Sequence, residues 1–305
     1  MSVLHDFSGW PQGPLSIAIG VFDGVHIGHH ALIRQAAAGA TQLGGRALAA
    51  TFDPLPIQAL APGAPPSALS DVEDRIRLLH DAGASDVVVF RFTKEFAALE
   101  SDEFVRRLAG AGEVRQIFVG EDFQFGHDRR GDVNSLSAAG PTYGFEVVVA
   151  SPVRSDGEIV SSTRIRNALI AGDVESAARL LGRPYGVRGT VVHGAKRGRA
   201  LGFPTINLAV PPQRLLPRDG IYAMTVRVRD EEVAAAASLG VRPTFGGGDR
   251  TLEAYLLDWN GDVYGDKIGA AFVKRLRDEL RFASAAELSA QIARDVAETR
   301  RALRG

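Results

Sequence analysis

Leu15-Ser-Ile-Ala-Ile-Gly20-Val-Phe22-Asp23-Gly24-Val-His26-Ile-Gly28-His29-His30 decides the first fold. Leu15 to Val21 is a short apolar run, the mark of a strand buried on both faces. Phe22-Asp23-Gly24 stops it, and helical spacing follows from Gly28 to about Leu43. The same alternation continues downstream. Arg46 to Phe52 reads as a buried strand, stopped by Asp53-Pro54-Leu55-Pro56, and a Pro-rich loop runs on to Ser67. Ser70 and Glu73 have the spacing of a capping box, ahead of a helix carrying Ile76, Leu78 and Leu79. Asp86 to Phe90, Gln116 to Gly120 and Phe145 to Ala150 are strand-like, and Ser101 to Ala109 is helical. Short apolar strands separated by helices predict a mostly parallel sheet covered on both faces. Ligands of such sheets sit beyond the carboxyl ends of the strands.

A second style begins near Arg183-Pro184. From Tyr185 onward the residues alternate with period two, as in Val187, Gly189 and Val191 against Arg188, Thr190 and Val192. Ile221 to Val228, Val233 to Leu239 and Leu252 to Trp259 continue the pattern, with Gly and Pro between them. This predicts an antiparallel sheet or a small antiparallel β-barrel. Ser284 and Glu287 cap a last helix with Leu288, Ile292 and Val296 on one face. The expected organisation is an α/β domain over residues 1–182 and an all-β domain with a terminal helix over 183–305. A length of 305 residues agrees with two domains.

Composition narrows the function. Lys and Arg number 35 against 36 Asp and Glu, a balance unlike that of a protein that coats nucleic acid. The absence of cysteine excludes disulfides, thiolate metal sites and a thiol nucleophile. No apolar run reaches bilayer length, and Met1 to Asp6 lacks a signal-peptide pattern, so the cytoplasm is the expected address.

Three of the seven His, at 26, 29 and 30, follow a strand and open a helix. Free N–H groups and the helix dipole favour phosphate there, and Gly24 and Gly28 admit a ligand close to the backbone. His26 and His29 could both donate to phosphoryl oxygens. An ordinary helix cap with solvated His is the competing reading. Ser161-Ser162-Thr163-Arg164-Ile-Arg166 opens another helical pattern, with hydroxyls, two Arg and no acid nearby, which suits a polyphosphate or a plain N-cap with surface Arg. Val119-Gly120-Glu-Asp122-Phe123-Gln-Phe125-Gly126 is a strand end entering a Gly-rich loop, and a solvated turn is its bland alternative. In the second half, residues 186–200 hold four basic groups and no acid, and their glycines could wrap a phosphate chain. Thr205 and Asn207 alternate on a strand and so share a face, where their oxygens suit Mg²⁺. A surface hairpin with a basic tip is the equal alternative. Glu253, within Leu252 to Asp258, is either solvent-facing or a placed base.

In this order the motifs resemble the bifunctional prokaryotic FAD synthetases, in which a riboflavin kinase is fused to an FMN adenylyltransferase. The likeness covers nearly the whole chain. It rests on Gly20 to His29, Phe52-Asp-Pro54, Val119 to Gly126, Ser161 to Arg166, Gly189 to Gly194, Gly198 to Asn207, Gly220-Ile-Tyr222, Arg242-Pro-Thr-Phe245, Glu253 and Tyr264-Gly265. It implies a Rossmann-like nucleotidyltransferase domain followed by a kinase barrel. The substrates would be riboflavin, FMN and ATP, with Mg²⁺ as the cation and neither nucleic acid nor membrane as partner. By the resemblance, His26 and His29 stabilise charge at the α-phosphate of ATP. Gly20, Phe22, Gly24, Gly28, Ser161, Ser162, Thr163 and Arg166 hold the nucleotide, and Asp122, Phe123 and Phe125 hold the flavin. In the kinase, Glu253 takes the proton of the attacking alcohol, Thr205 and Asn207 hold Mg²⁺, and Gly194, Arg199, Gly202 and Pro204 hold ATP. Ser238 stands where many relatives carry Asn, and Asp122 where some do. Ser238 motivates an alternative, an adenylyltransferase with a non-catalytic flavin-binding second module.

Overall fold

A computed structural model describes residues 2–61, 67–194, 202–241 and 250–304. The chain forms two compact units, Met1–Ser162 and Thr163–Gly305.

The first unit is built on a six-stranded sheet. Its strands are β1 (Ser2–His5), β2 (Pro14–Ile19), β3 (Arg46–Asp53), β4 (Asp86–Arg91), β5 (Glu113–Gly120) and β8 (Glu146–Ala150). Their order is β1-β4-β3-β2-β5-β8 and every pairing is parallel. Leu15, Ile17 and Ile19 on β2 are buried, as the apolar run requires. One face packs Leu15, Ile17, Leu48, Phe90, Phe104 and Leu136, and the other packs Ala18, Leu32, Ile33, Leu78, Leu79 and Val89. The helices that cover the sheet include α1 (Ile27–Gln42), α3 (Val72–Asp81), α5 (Ser101–Gly110) and α6 (Val133–Tyr143). Short helices α2 (Pro56–Leu60) and α4 (Lys94–Ala97), hairpin strands β6 (Gln124–Phe125) and β7 (Gly131–Asp132), and strands β9 (Arg154–Ser155) and β10 (Glu158–Ile159) fill the connections. After β4 the order returns to the far side of β2, so a crevice opens between the carboxyl ends of β2 and β5.

Two local readings change. Strand β1 was not expected; the buried carboxylate of Asp86 holds it by accepting the Ser2 N–H at 3.1 Å. The cap of α3 is Asp71, whose Oδ1 accepts the Asp74 N–H at 2.7 Å. Ser70, the expected cap, is one residue too early because its hydroxyl is committed to a distant turn described below.

The second unit is a closed antiparallel barrel. Its strands are β11 (Tyr185–Val192), β12 (Thr205–Ala209), β13 (Gly220–Val228), β14 (Glu231–Val241), β15 (Arg250–Leu256) and β16 (Lys267–Arg277), in the order β11-β12-β15-β14-β13-β16 and back to β11. Tyr185, Val187, Val191, Leu252 and Leu256 are buried at alternate positions, as period two predicted; Tyr222, Met224 and Phe272 are buried too, the last on β16, a strand that was not expected. Helices α7 (Ser162–Ala171) and α8 (Val174–Leu181) precede the barrel, and α9 (Ala285–Ala302) follows it. Ser284 caps α9 as expected, accepting the Glu287 N–H at 3.2 Å. A two-pronged ion pair of Arg277 with the buried Asp295 holds α9 to β16, at 2.9 and 2.5 Å. The units divide twenty residues before position 182. Helix α8 packs on β11 and β16, and the Leu169 carbonyl accepts the Arg218 N–H at 2.9 Å, so both helices count with the barrel.

Candidate functional sites

The β2–α1 turn carries the first cluster. Its backbone is forced into positive φ at Phe22 (52°), Gly24 (81°) and Val25 (40°). Such values at Phe and at β-branched Val persist only where the surroundings over-determine them. Here they do. Val25 N–H donates to the Phe22 carbonyl at 3.1 Å, and the Thr51 hydroxyl donates to the Val21 carbonyl at 2.9 Å. The buried Asp23 carboxylate accepts the N–H groups of Leu69 and Ser70 at 2.9 to 3.0 Å, and the Ser70 hydroxyl at 3.2 Å. The Ser70 oxygen accepts the Gly24 N–H at 2.9 Å. Ser162, at the start of α7, donates its hydroxyl to the Asp23 carbonyl at 2.9 Å.

The turn presents two imidazoles. His26 is buried and caps α1, its Nδ1 accepting the His29 N–H at 3.3 Å, which leaves the proton of a neutral His26 on Nε2. The His26 and His29 rings stack with centroids 3.5 Å apart, and the edge-on Phe22 ring lies 5.1 Å from His29. His29 Nδ1 is enclosed and has no hydrogen-bond partner among the described residues. Burial first, and then the nearby His26 and His30, hold the His29 imidazole well below its usual range. His29 is therefore neutral at pH 7, and an anion beside the pair would oppose both causes. Two glycines make the stack possible. A Cβ on Gly28 would sit 3.1 Å from the His26 ring, and one on Gly20 would sit 3.0 Å from the Phe22 ring. His26 caps α1, as the cap reading expects, and its ring is buried rather than solvated.

The loop after β5 leaves the same edge of the sheet from the neighbouring strand. Phe123 is half-buried and Asp122 exposed. Phe125 is buried in the core against Phe104, 5.4 Å between centroids, and supports Phe123 from below at 5.5 Å. Gly131 faces Phe125 on the hairpin partner, where a Cβ would lie 2.6 Å from its ring.

In the barrel, antiparallel register places Asn207 opposite Glu253 and Glu253 opposite Ser238. Thr205, two residues from Asn207 on one face, donates its hydroxyl to Glu253 Oε2 at 3.5 Å. Glu253 is half-buried and alternates with the buried Leu252 and Ala254, so it points away from the barrel interior. Asn207 is buried and lies over Gly194, where an added Cβ would fall 2.2 Å from its Nδ2. A hydroxyl, an amide oxygen and a carboxylate on one face fit Mg²⁺, a hard cation that completes its shell with water and substrate phosphates. Among the described residues no group of three or more His, Asp or Glu forms a metal cage. Ser238 donates to Glu279 Oε1 at 3.5 Å, next to Gly240, which the Glu279 carboxylate overlies.

The turn thus gathers Gly20, Phe22, Gly24, His26, Gly28, His29 and Ser162, with Ser161 one residue before. Thr163 is exposed and Arg166 half-buried on the first turn and a half of α7. Gly202, at φ 83°, and Pro204 are exposed just before β12. Arg199, the basic residues Lys196 and Arg197, and Arg242 to Phe245 lie outside the described residues. Sequence reading missed Asp23 and Ser70 as a bonded pair, 47 residues apart, because no local pattern marks it. It also missed the His193–Tyr264 ring contact at 4.0 Å, beside Gly194.

Two families of known proteins match successive parts of the chain. A family model for FAD synthetase matches residues 10–164, and one for riboflavin kinase matches residues 181–303. The chain is 37% identical over 294 residues to the bifunctional riboflavin kinase/FMN adenylyltransferase of Escherichia coli strain K12, covering 96% of this chain and 94% of that one. It is 39% identical over 299 residues to the protein of the same name from Pseudomonas fluorescens, covering 97% and 95%. A solved structure described as a macrolide-efflux protein from Streptococcus pneumoniae matches with a TM-score of 0.88 at 33% identity, covering 98% of both chains. That description belongs to that protein. Among the described residues of this chain, no helix is long and apolar enough to cross a membrane.

Proposed function

The chain belongs to the family of bifunctional riboflavin kinase/FMN adenylyltransferases, and from that premise we propose which of its residues perform each reaction. It is an enzyme with two activities. ATP phosphorylates riboflavin to FMN, and a second ATP adenylylates FMN to FAD with release of pyrophosphate. A non-catalytic second module is not favoured, since its own family model is that of a kinase.

We assign adenylylation to residues 1–182 and phosphorylation to residues 183–305. In adenylylation the nucleophile is the FMN phosphate, already an anion, so no general base is needed. The work is positioning and charge stabilisation. His26 and His29 donate to the α-phosphate as negative charge builds on it. Gly20, Phe22, Gly24 and Gly28 shape the turn that receives the nucleotide. Ser161, Ser162, Thr163 and Arg166 hold the departing pyrophosphate. Phe123 offers its ring to the flavin, with Asp122 beside it and Phe125 beneath.

In phosphorylation the nucleophile is an alcohol, so a base is needed. Glu253 accepts the proton of the ribityl 5′-hydroxyl while its oxygen attacks the γ-phosphorus and the bond to the ADP oxygen breaks. Thr205 and Asn207 hold Mg²⁺, which neutralises charge on the ATP phosphates. ATP binding falls to Gly194, Arg199, Gly202 and Pro204. The observation that most favours this reading is the register that sets Asn207 beside Glu253, with Thr205 hydrogen-bonded to the same carboxylate. Nucleic acid is not a partner, given the balanced charge, and ATP-dependent chemistry suits the cytoplasm.

Two variants test the assignment. Glu253→Gln abolishes FMN formation and spares FAD formation from supplied FMN. His29→Ala does the reverse. Loss of both activities in either folded variant would refute separate sites.

A further inference from the structure

Asp23 and Ser70 have no part in the chemistry above, yet the bonds of the β2–α1 turn converge on them. Asp23 is 1% exposed, and its carboxylate takes protons from the Leu69 N–H, the Ser70 N–H and the Ser70 hydroxyl. Ser70 is 3% exposed, and its oxygen takes the Gly24 N–H. One hydroxyl therefore donates to Asp23 and accepts from the residue after it. Only Ser or Thr can do both at that size. The Asp23 carbonyl accepts from Ser162. Asp23 thus binds the turn to the 69–70 segment through its side chain and to Ser162, the last residue of the first unit, through its backbone carbonyl. Two residues further on, Val25 at positive φ delivers His26 to the helix cap.

A plain stabilising role is an incomplete account. A buried carboxylate beside a turn meant for phosphates repels the ligand, and an amide would fill the same space without that cost. An amide would, however, turn its NH₂ toward backbone donors. Oδ1 accepts from the Leu69 N–H, the Ser70 N–H and the Ser70 hydroxyl, and Oδ2 shares the Leu69 N–H at 3.0 Å, a place where an amide NH₂ would meet a donor. The carboxylate is kept for geometry.

We propose that Asp23 and Ser70 are positioning residues for adenylyl transfer, fixing the strained turn so that His26 and His29 face the α-phosphate. This rests on the reading of those two His as the groups that contact the nucleotide.

The test uses the full chain with Ser70→Ala, Ser70→Thr, Asp23→Asn, Asp71→Ala and His29→Ala. Each variant is assayed for FAD formation from FMN, for FMN formation from riboflavin, and for thermal unfolding. Ser70→Ala is expected to lower kcat for FAD formation on the order of 10- to 100-fold, since small misplacements of reacting groups carry penalties of that size. KM for ATP and the kinase rate stay near the parent values, and Ser70→Thr recovers most of kcat. Asp23→Asn follows Ser70→Ala. Asp71→Ala, which removes the adjacent helix cap, lowers the unfolding temperature and leaves kcat alone. Parent kcat in Ser70→Ala, alongside an inactive His29→Ala, overturns the proposal and spares the assignment of His29. A Ser70→Ala loss that Ser70→Thr does not recover, and that Asp71→Ala reproduces in step with its unfolding temperature, also overturns it. Undiminished FAD formation in His29→Ala overturns the underlying reading, and the proposal with it.

Discussion

Replacing Gly194 with Ala should disable the kinase through Asn207. The new Cβ would lie 2.2 Å from Asn207 Nδ2, 2.6 Å from its Cγ and 2.8 Å from its Oδ1. Ordinary contact begins near 3.4 Å, so the amide must retreat by about 1.2 Å (3.4 − 2.2). It has little room, because Asn207 is 7% exposed and its strand is paired on both sides, with β11 and β15. A displacement near 1 Å at a group that orients reactants costs on the order of 10²-fold in rate, or ~2.7 kcal/mol of barrier. The assay is FMN formation at saturating riboflavin and ATP over a Mg²⁺ titration, with FAD formation from FMN as internal control. The expected result is a hundredfold loss of kinase kcat, a higher Mg²⁺ requirement and an unchanged adenylyltransferase. A double-mutant cycle separates this route from direct obstruction of ATP. Gly194→Ala added to Asn207→Ala should cost almost nothing more, because both changes act on one group. Full kinase activity in Gly194→Ala, or additive losses in the cycle, would refute the reasoning.

The pH behaviour of His29 follows from its lowered pKa. Above about pH 6.5 the unfolded and folded chains both keep this ring neutral. As pH falls below that value the unfolded chain takes up the proton first, so the stability His29 contributes is lost progressively through its folded pKa. Polyphosphate binding works the other way and draws a proton onto His29. Calorimetric ATP titrations in buffers of different ionisation enthalpy should show proton uptake that His29→Ala diminishes, and equal uptake in both proteins would count against it. Phe123→Ala should raise KM for FMN about 5-fold, from ~1 kcal/mol of ring stacking, with KM for ATP unaltered. Phe125→Ala should instead destabilise the first unit by ~3–5 kcal/mol, because its ring is buried. Equal kinetic effects of the two changes, with no loss of stability in either, would contradict the division of their roles.

Much of this was legible because the signals are local. The run from Leu15 reads as a doubly covered strand, which the buried stretch to Ile19 bears out while Val21 lies exposed past its end, and the alternation from Tyr185 needs a sheet with one face inside. The capping signal at Ser284 was correct: among the described residues its hydroxyl has no distant partner, and it accepts the Glu287 N–H. The identical signal at Ser70 was wrong because Asp23 and Gly24 claim that hydroxyl, leaving Asp71 to cap α3. Periodicity also could not separate Phe123 from Phe125. Both lie two residues apart on one face, and only packing on Phe104 makes one of them core.

The sequence by itself determined the two fold classes and the chemistry available in each, because apolar period and residue type act over a few positions. Tertiary structure decided which groups meet. It set Glu253 beside Asn207 through strand register across 46 residues, and it stacked His26 on His29 by forcing the turn before them into positive φ. Alternation along one strand gives no account of its neighbour, and a strained turn is stable only when distant donors hold it. Both depend on closure of the fold, which no short window of sequence contains.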